Sequence, residues 1–206
     1  QSFSTATDVY NTAVGHAAGN AVTTGKENTI VGGLAFDANT VGERNVAIGY
    51  NAQGGDVAGW KTIAIGHGAL ENQNFSTATD SFNVAVGFSA GNDITTGVKN
   101  TLLGANAGDH LTDADFNVAI GYLALDADTL GSGSTAIGLQ ALTTQNFTTA
   151  TTSYNIGIGF QAGLSVTTGI ENVLVGGIAG QSLTDADSNI AIGRSALSSD
   201  TLGSKS

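Results

Sequence analysis

One eight-residue phrase recurs eleven times along this chain, and it constrains the fold more than any other feature. The copies run Asn11–Ala18, Asn28–Ala35, Asn45–Ala52, Lys61 or Thr62 to Ala69, Asn83–Ala90, Asn100–Ala107, Asn117–Ala124, Ser134–Ala141, Asn155–Ala162, Asn172–Ala179 and Asn189–Ala196. Their central glycines are Gly15, Gly32, Gly49, Gly66, Gly87, Gly104, Gly121, Gly138, Gly159, Gly176 and Gly193, so the steps are 17, 17, 17 and 21 residues before the series repeats. A longer period of 72 residues follows: Phe3-Ser-Thr-Ala-Thr-Asp8 returns at Phe75–Asp80 and, with changes, at Phe147–Thr152. Fixed short periods mark solenoids, whose units bury their apolar faces only against their neighbours. The expectation is one continuous β-solenoid over residues 1–206, in super-repeats 3–74, 75–146 and a truncated 147–206. The chain begins inside a long coil and stops at Thr201–Ser206, the lead-in to another. Natural solenoids cap such open edges, so a fragment of a longer fibre is expected.

Between turns, the Val-Ala-Ile type segment alternates as a strand does. Its third residue is always a large aliphatic: Val14, Val31, Ile48, Ile65, Val86, Leu103, Ile120, Ile137, Ile158, Val175, Ile192. This column is expected to face inward. Three residues beyond the central glycine stands an invariant alanine, at Ala18, Ala35, Ala52, Ala69, Ala90, Ala107, Ala124, Ala141, Ala162, Ala179 and Ala196. A position that admits only a methyl group in every coil should be a closed corner. Glycine also stands seven residues before most central glycines, at Gly25, Gly42, Gly59, Gly97, Gly131, Gly169 and Gly203, where positive φ is expected. Ala114 and Ala186 depart from this and suggest a different turn.

Residue sizes correlate across the strand. Where the residue before the aliphatic is large (Ile30, Leu102, Leu174), the residue after the glycine is small (Gly33, Ala105, Gly177). Where it is small, the latter is large, as at Tyr50, Phe88, Tyr122 and Phe160. Packed interiors conserve volume, so the two positions are expected to share one space. A 17-residue coil holds only short strands round a narrow interior. A second apolar compartment therefore implies packing between chains, through Ile30, Tyr50, Phe88, Leu102, Tyr122, Phe160 and Leu174.

With 17 acidic against 6 basic residues the net charge is −11, which argues against nucleic acid and for a soluble fibre. The absence of cysteine excludes disulfides and thiolate metal sites. No apolar run reaches the roughly 18 residues of a membrane span, and no signal peptide is evident. Asp113-Ala-Asp115, Asp126-Ala-Asp128 and Asp185-Ala-Asp187 have oxygen-ligand spacing but read as turns, as aspartate commonly does. His16 and His67 fall where later units place Phe88, Phe160 and Leu139, so packing explains them better than metal binding. Asn74-Phe-Ser76 and Asn146-Phe-Thr148 match glycosylation sequons and read as loop composition. No acid pair stands apart from the repeat, so neither an enzyme nor a cofactor is expected.

The phrase Asn-Val-Ala-Ile-Gly-x-x-Ala resembles the head repeats of YadA-like trimeric autotransporter adhesins. With Asn first, Tyr or Phe after the glycine and Ala-Gly or Ala-Leu at the end, it also resembles repeat regions of bacteriophage tail fibres. The resemblance covers essentially the whole chain. It implies an all-β fold, a left-handed parallel β-roll with 17- and 21-residue coils, assembled as a homotrimeric fibre. It further implies a structural and adhesive role at the virion surface, through attachment to a host cell-surface glycan or protein; the alternative is a bacterial adhesin head. A reading from a different class, ranked below both, is a monomeric ligand-binding solenoid that takes ice or calcium. The four extra residues of every fourth coil, at Ser4–Thr7, Ser76–Thr79 and Thr148–Thr151, are expected to carry host contacts along one side of the rod.

Overall fold

The structure, a computed structural model, describes residues 8–206. The loop expected at Ser4–Thr7 lies outside the described residues. Those residues form a parallel β-solenoid of about eleven turns and contain no helix. Each turn adds one three-residue strand to an eleven-stranded sheet: Thr12–Val14, Thr29–Val31, Val46–Ile48, Ile63–Ile65, Val84–Val86, Thr101–Leu103, Val118–Ile120, Thr135–Ile137, Ile156–Ile158, Val173–Val175 and Ile190–Ile192. Equivalent residues pair in register, Thr12 with Thr29 and, across the longer spacer, Ile63 with Val84. Two further parallel pairs, Gly59–Trp60 with Thr79–Asp80 and Gly131–Ser132 with Thr151–Thr152, return each four-residue insertion to the preceding coil.

The strands turn the opposite way from the expectation. Their middle residue points inward, with Ala47, Ala64, Ala85, Leu102, Ala119, Ala136 and Leu174 all fully buried. Side chains alternate along a strand. The column Val14, Val31, Ile48, Ile65, Val86, Leu103, Ile120, Ile137, Ile158, Val175 and Ile192 therefore lines the outer face, partly buried in most coils and exposed at Val14, Leu103 and Ile192. Ile30, Leu102 and Leu174, expected between chains, instead fill the interior of their own coils. The residue after the central glycine lies outside, so the two positions share no space.

Volume compensation exists, but between other positions. A side chain at Gly91 or Gly108 would press on Leu102, and one at Gly163 or Gly180 on Leu174. The same place carries Leu70, Leu125 and Leu142, all fully buried, in coils whose strand contributes only Ala64, Ala119 or Ala136, whereas Phe36 is buried in the same coil as Ile30. The Ala-Gly against Ala-Leu alternation is the interior balancing its volume. The invariant alanine is the closed corner that was expected: nine of its copies, from Ala35 to Ala179, are fully buried, while Ala18 and Ala196 are partly so.

Two glycine columns have different causes. The central glycines hold φ of +123° to +148°, and except at Gly193 a Cβ would fall within 2.1–2.6 Å of the next central glycine's carbonyl group. The turn glycines expected at positive φ do not have it; a Cβ at Gly25 would sit 2.5 Å from the Gly42 carbonyl oxygen, and at Gly131 it would strike the Asp128 carboxylate. Close approach, not handedness, selects glycine there. Nor does the turn differ at Ala114 and Ala186, whose carbonyls accept from Asn100 and Asn172 at 2.8 Å as the Gly42 carbonyl does from Asn28.

That bond belongs to a buried asparagine ladder. Each Asn Oδ1 accepts the backbone N–H of the equivalent residue one coil on, as Asn28 N–H donates to Asn11 at 2.8 Å and Asn117 N–H to Asn100 at 2.9 Å. Each Nδ2 donates to the turn carbonyl of its own coil at 2.6–2.9 Å. Only asparagine presents a donor and an acceptor at that reach. Thr62 and Ser134 interrupt the ladder where the insertions begin, and their hydroxyls pair instead with Ser81 and Ser153.

The gap is bridged by a buried network around one carboxyl. Asp128 accepts from Gln145 Nε2 at 2.6 Å and from the N–H groups of Gly131 and Phe147, and Gln145 Oε1 accepts from Asn155. Asp56 sits alike, with Gln53, Gln73, Gly59 and Phe75 as donors. Burial raises both carboxyls above their ordinary value, outweighing the hydrogen bonds that pull them down. Folding thus favours protonation, so the stability they contribute is fully present below about pH 3.8 and is lost as pH rises through the raised values. An Asp56→Asn/Asp128→Asn chain lacks this component. The urea midpoint of wild type should therefore rise relative to that of the variant as pH falls from about 7 to 4. Parallel pH profiles would contradict it.

Candidate functional site: the outer face of the sheet

Because the middle residue of each strand is inside, its two neighbours are outside. Val, Ile, Leu and Thr of the eleven strands form a ribbed surface flanked by the residues that follow the central glycines. Those following residues, Tyr50, Phe88, Tyr122, Leu139 and Phe160, are all exposed. In the first super-repeat they stack, His67 lying between Tyr50 and Phe88 with ring centroids 5.2 and 5.3 Å away. His67 thus serves as one plate of a stack, and His16 lies exposed one end further along. Of the residues expected to pack between chains, Tyr50, Phe88, Tyr122 and Phe160 lie on this face, and Ile30, Leu102 and Leu174 do not. A contiguous apolar stripe of this kind is uncommon on a surface that faces only water.

A second column, which sequence reasoning missed, consists of the residue preceding each ladder position. It reads Tyr10, Glu27, Arg44, Lys61, Phe82, Lys99, Phe116, Gly133, Tyr154, Glu171, Ser188, Lys205, every one at φ of +48° to +75°. The left-handed turn throws these side chains outward. Lys61 Nζ lies 5.1 Å from the Phe82 ring centroid and 2.6 Å from Asp80 Oδ2; Lys99 Nζ lies 4.9 Å from the Phe116 centroid. Arg44 Nε meets Glu27 Oε2 at 2.8 Å. At Gly133 the column is interrupted by an open cleft of about 420 Å³ lined by Asp115, Phe116, Ser132, Gly133, Thr152 and Tyr154. The signal for this column is the run of aromatic and charged residues just before the ladder positions, with Lys61, Phe82, Lys99 and Phe116 alternating, and it is visible only once the Asn ladder is known.

The aspartates do different work from one another. Asp115 and Asp187 accept the backbone N–H groups of Val98 and Ile170, one coil back, and Asp113 accepts from the Thr96 hydroxyl. Asp128 is buried in its network. Asp126 meets Asp109 and His110, and ligand atoms of these three lie within 4.8 Å of one another, the one such group among the described residues. Partial burial lowers the His110 pKa, but the hydrogen bond to the Asp126 carbonyl at 2.9 Å and the carboxylates of Asp126, Asp109 and Asp93 outweigh it, so the net direction is upward. Neither Asp113-Ala-Asp115 nor Asp185-Ala-Asp187 assembles such a group.

The two described insertions each have an anchored base and an exposed tip. Phe75 and Phe147 are buried, whereas Ser76, Thr77 and Ala78 and their counterparts Thr148, Thr149 and Ala150 are exposed. Asn74 and Asn146, of the two sequons, are also exposed. Among the described residues no helix is long and apolar enough to cross a membrane. Comparison with models of protein families, with characterised proteins and with solved structures gives no match to this chain.

Proposed function

We propose that this chain is a structural and adhesive segment of a homotrimeric fibre, most closely of the bacteriophage tail-fibre kind, that mediates attachment to a host cell surface. The observation that carries the reading is the outer sheet face, apolar in coil after coil and uncovered within one chain. Its cover must repeat at the same strand spacing over eleven strands, with the same long coil every fourth turn. Another copy of the chain meets that requirement by construction, and three left-handed rolls of 17- and 21-residue coils would bury the faces around a common axis. The resemblance to trimeric fibre repeats supports the same arrangement. Low content of charged residues and coil-to-coil hydrogen bonding suit a stiff rod at the virion surface rather than a catalyst.

In this reading the exposed tips of the insertions, on solvent-facing corners, contact the host. Replacing Ser76, Thr77 and Ala78 together with Thr148, Thr149 and Ala150 by glutamate changes only exposed side chains. The substituted fibre should keep its fold and assembly, and its binding to host cells should fall severalfold in a sedimentation assay. Unchanged binding would place the host contact elsewhere.

A further inference from the structure

The cleft at Gly133 lies where the equivalent positions of the neighbouring super-repeats carry lysine. Lys61, Gly133 and Lys205 are equivalent, 72 residues apart, so glycine stands between two lysines. In the first super-repeat Lys61 fills this place, its ammonium on the Phe82 ring and the Asp80 carboxylate. In the second, Tyr154 replaces Phe82, Phe116 replaces Arg44, and Ser132 replaces the bulky Trp60. The result is an opening with an exposed ring on either side and Asp115, Ser132 and Thr152 in its lining. Glycine is not required by the backbone there. Lys61 and Lys205 occupy the same left-handed turn at φ +57° and +63°, and a Cβ at Gly133 would come no nearer than 3.3 Å to a side-chain methyl of Thr152.

We propose that this cleft binds an alkylammonium group, the chemistry Lys61 displays within the chain: a cation against aromatic faces, paired with a carboxylate. Aromatic faces attract ammonium ions when the centroid is within about 6 Å. Phe116 already receives Lys99 in this way, and Tyr154 leans over Gly133 as Phe82 does beneath Lys61. Thr152 stands where Asp80 does, so the carboxylate comes instead from Asp115, the equivalent of Glu43; one of its oxygens is held by the Val98 N–H at 2.7 Å, which fixes the group in place. The net charge of −11 draws cations to the surface. The inference concerns the turn column before the Asn ladder rather than the sheet face on which the proposed function rests.

The test uses the native assembly labelled with 3-fluorotyrosine, with the Tyr154 resonance assigned through a Tyr154→Phe chain. Cadaverine and Nα-acetyl-lysine N-methylamide should each shift that resonance saturably, with Kd on the order of millimolar. The neutral Nα-acetyl-norleucine N-methylamide should not. Response to the diamine alone points to a free polyamine, and a stronger response to the lysine derivative points to a protein lysine; both support the ammonium site. Gly133→Lys, which should melt no lower than wild type, fills the cleft from within and should weaken either amine at least tenfold. Equal shifts from the norleucine compound, or unchanged amine affinity in a folded Gly133→Lys chain, would overturn the proposal.

Discussion

Alanine at Gly104 is expected to cost more than about 4 kcal/mol and to leave the chain largely unfolded. Two independent prohibitions meet at this residue. Its φ of +138° is closed to side chains of ordinary handedness, and a Cβ would stand 2.6 Å from the Gly121 carbonyl oxygen. Relief by backbone movement is blocked, because Gly121 is itself stacked on Gly138 in the same way. Gly177→Ala is the matched control: nothing lies within 4 Å of the added methyl, and its stability should stay within about 0.5 kcal/mol of wild type. Urea denaturation followed by circular dichroism distinguishes them. Equal midpoints would mean that the central glycines are not in contact from coil to coil.

Truncating Leu102 to alanine should destabilise by about 2–5 kcal/mol, the range for a fully buried leucine. The informative result is which second substitution repairs it. A side chain at Gly108 would meet Leu111 Cδ1 at 2.8 Å and Leu102 Cδ2 at 2.9 Å, so the space vacated by Leu102 opens on to one side of it while Leu111 still bounds the other. Gly108 has φ +58°, and the equivalent Leu125 and Leu142 hold φ +53° and +50°, so leucine suits the backbone. Leu102→Ala/Gly108→Leu copies the pairing of Ala119 with Leu125 one coil later and should recover part of the loss, limited by Leu111, which stands where the later coil has Asp128. Ala105→Leu, on the outer side, should recover none. Rescue by Ala105→Leu would mean that the strand faces are reversed.

What the sequence made legible was set by period rather than by side-chain type. The spacing of the central glycines located each strand, and the invariance of the alanines from Ala35 to Ala179 located a closed corner, because steric limits repeat in every coil. The facing of the strands is not legible from residue size. In a coil this narrow the interior accepts alanine, and the large aliphatics such as Ile48 and Ile120 go outside. The compensation between Leu102 and Gly33-like positions was a correlation without contact; the contact lies with Gly91 and Gly108. Asparagine was seen to open most copies, but its two-way bonding from coil to coil needs the register to be understood. The cleft at Gly133 was hidden for the same reason: it consists of one absent side chain in a column that only stacking creates.

The reading as a fibre rests on the outer sheet face being covered by two further copies of the chain. Sedimentation equilibrium of the native chain in dilute buffer tests this most directly. The account predicts a mass of three times 20.5 kDa that persists to micromolar concentration. Substituting Ile120 and Tyr122, on that face, by lysine should break the assembly. A folded, cooperatively melting species of 20.5 kDa for the unsubstituted chain would contradict the account.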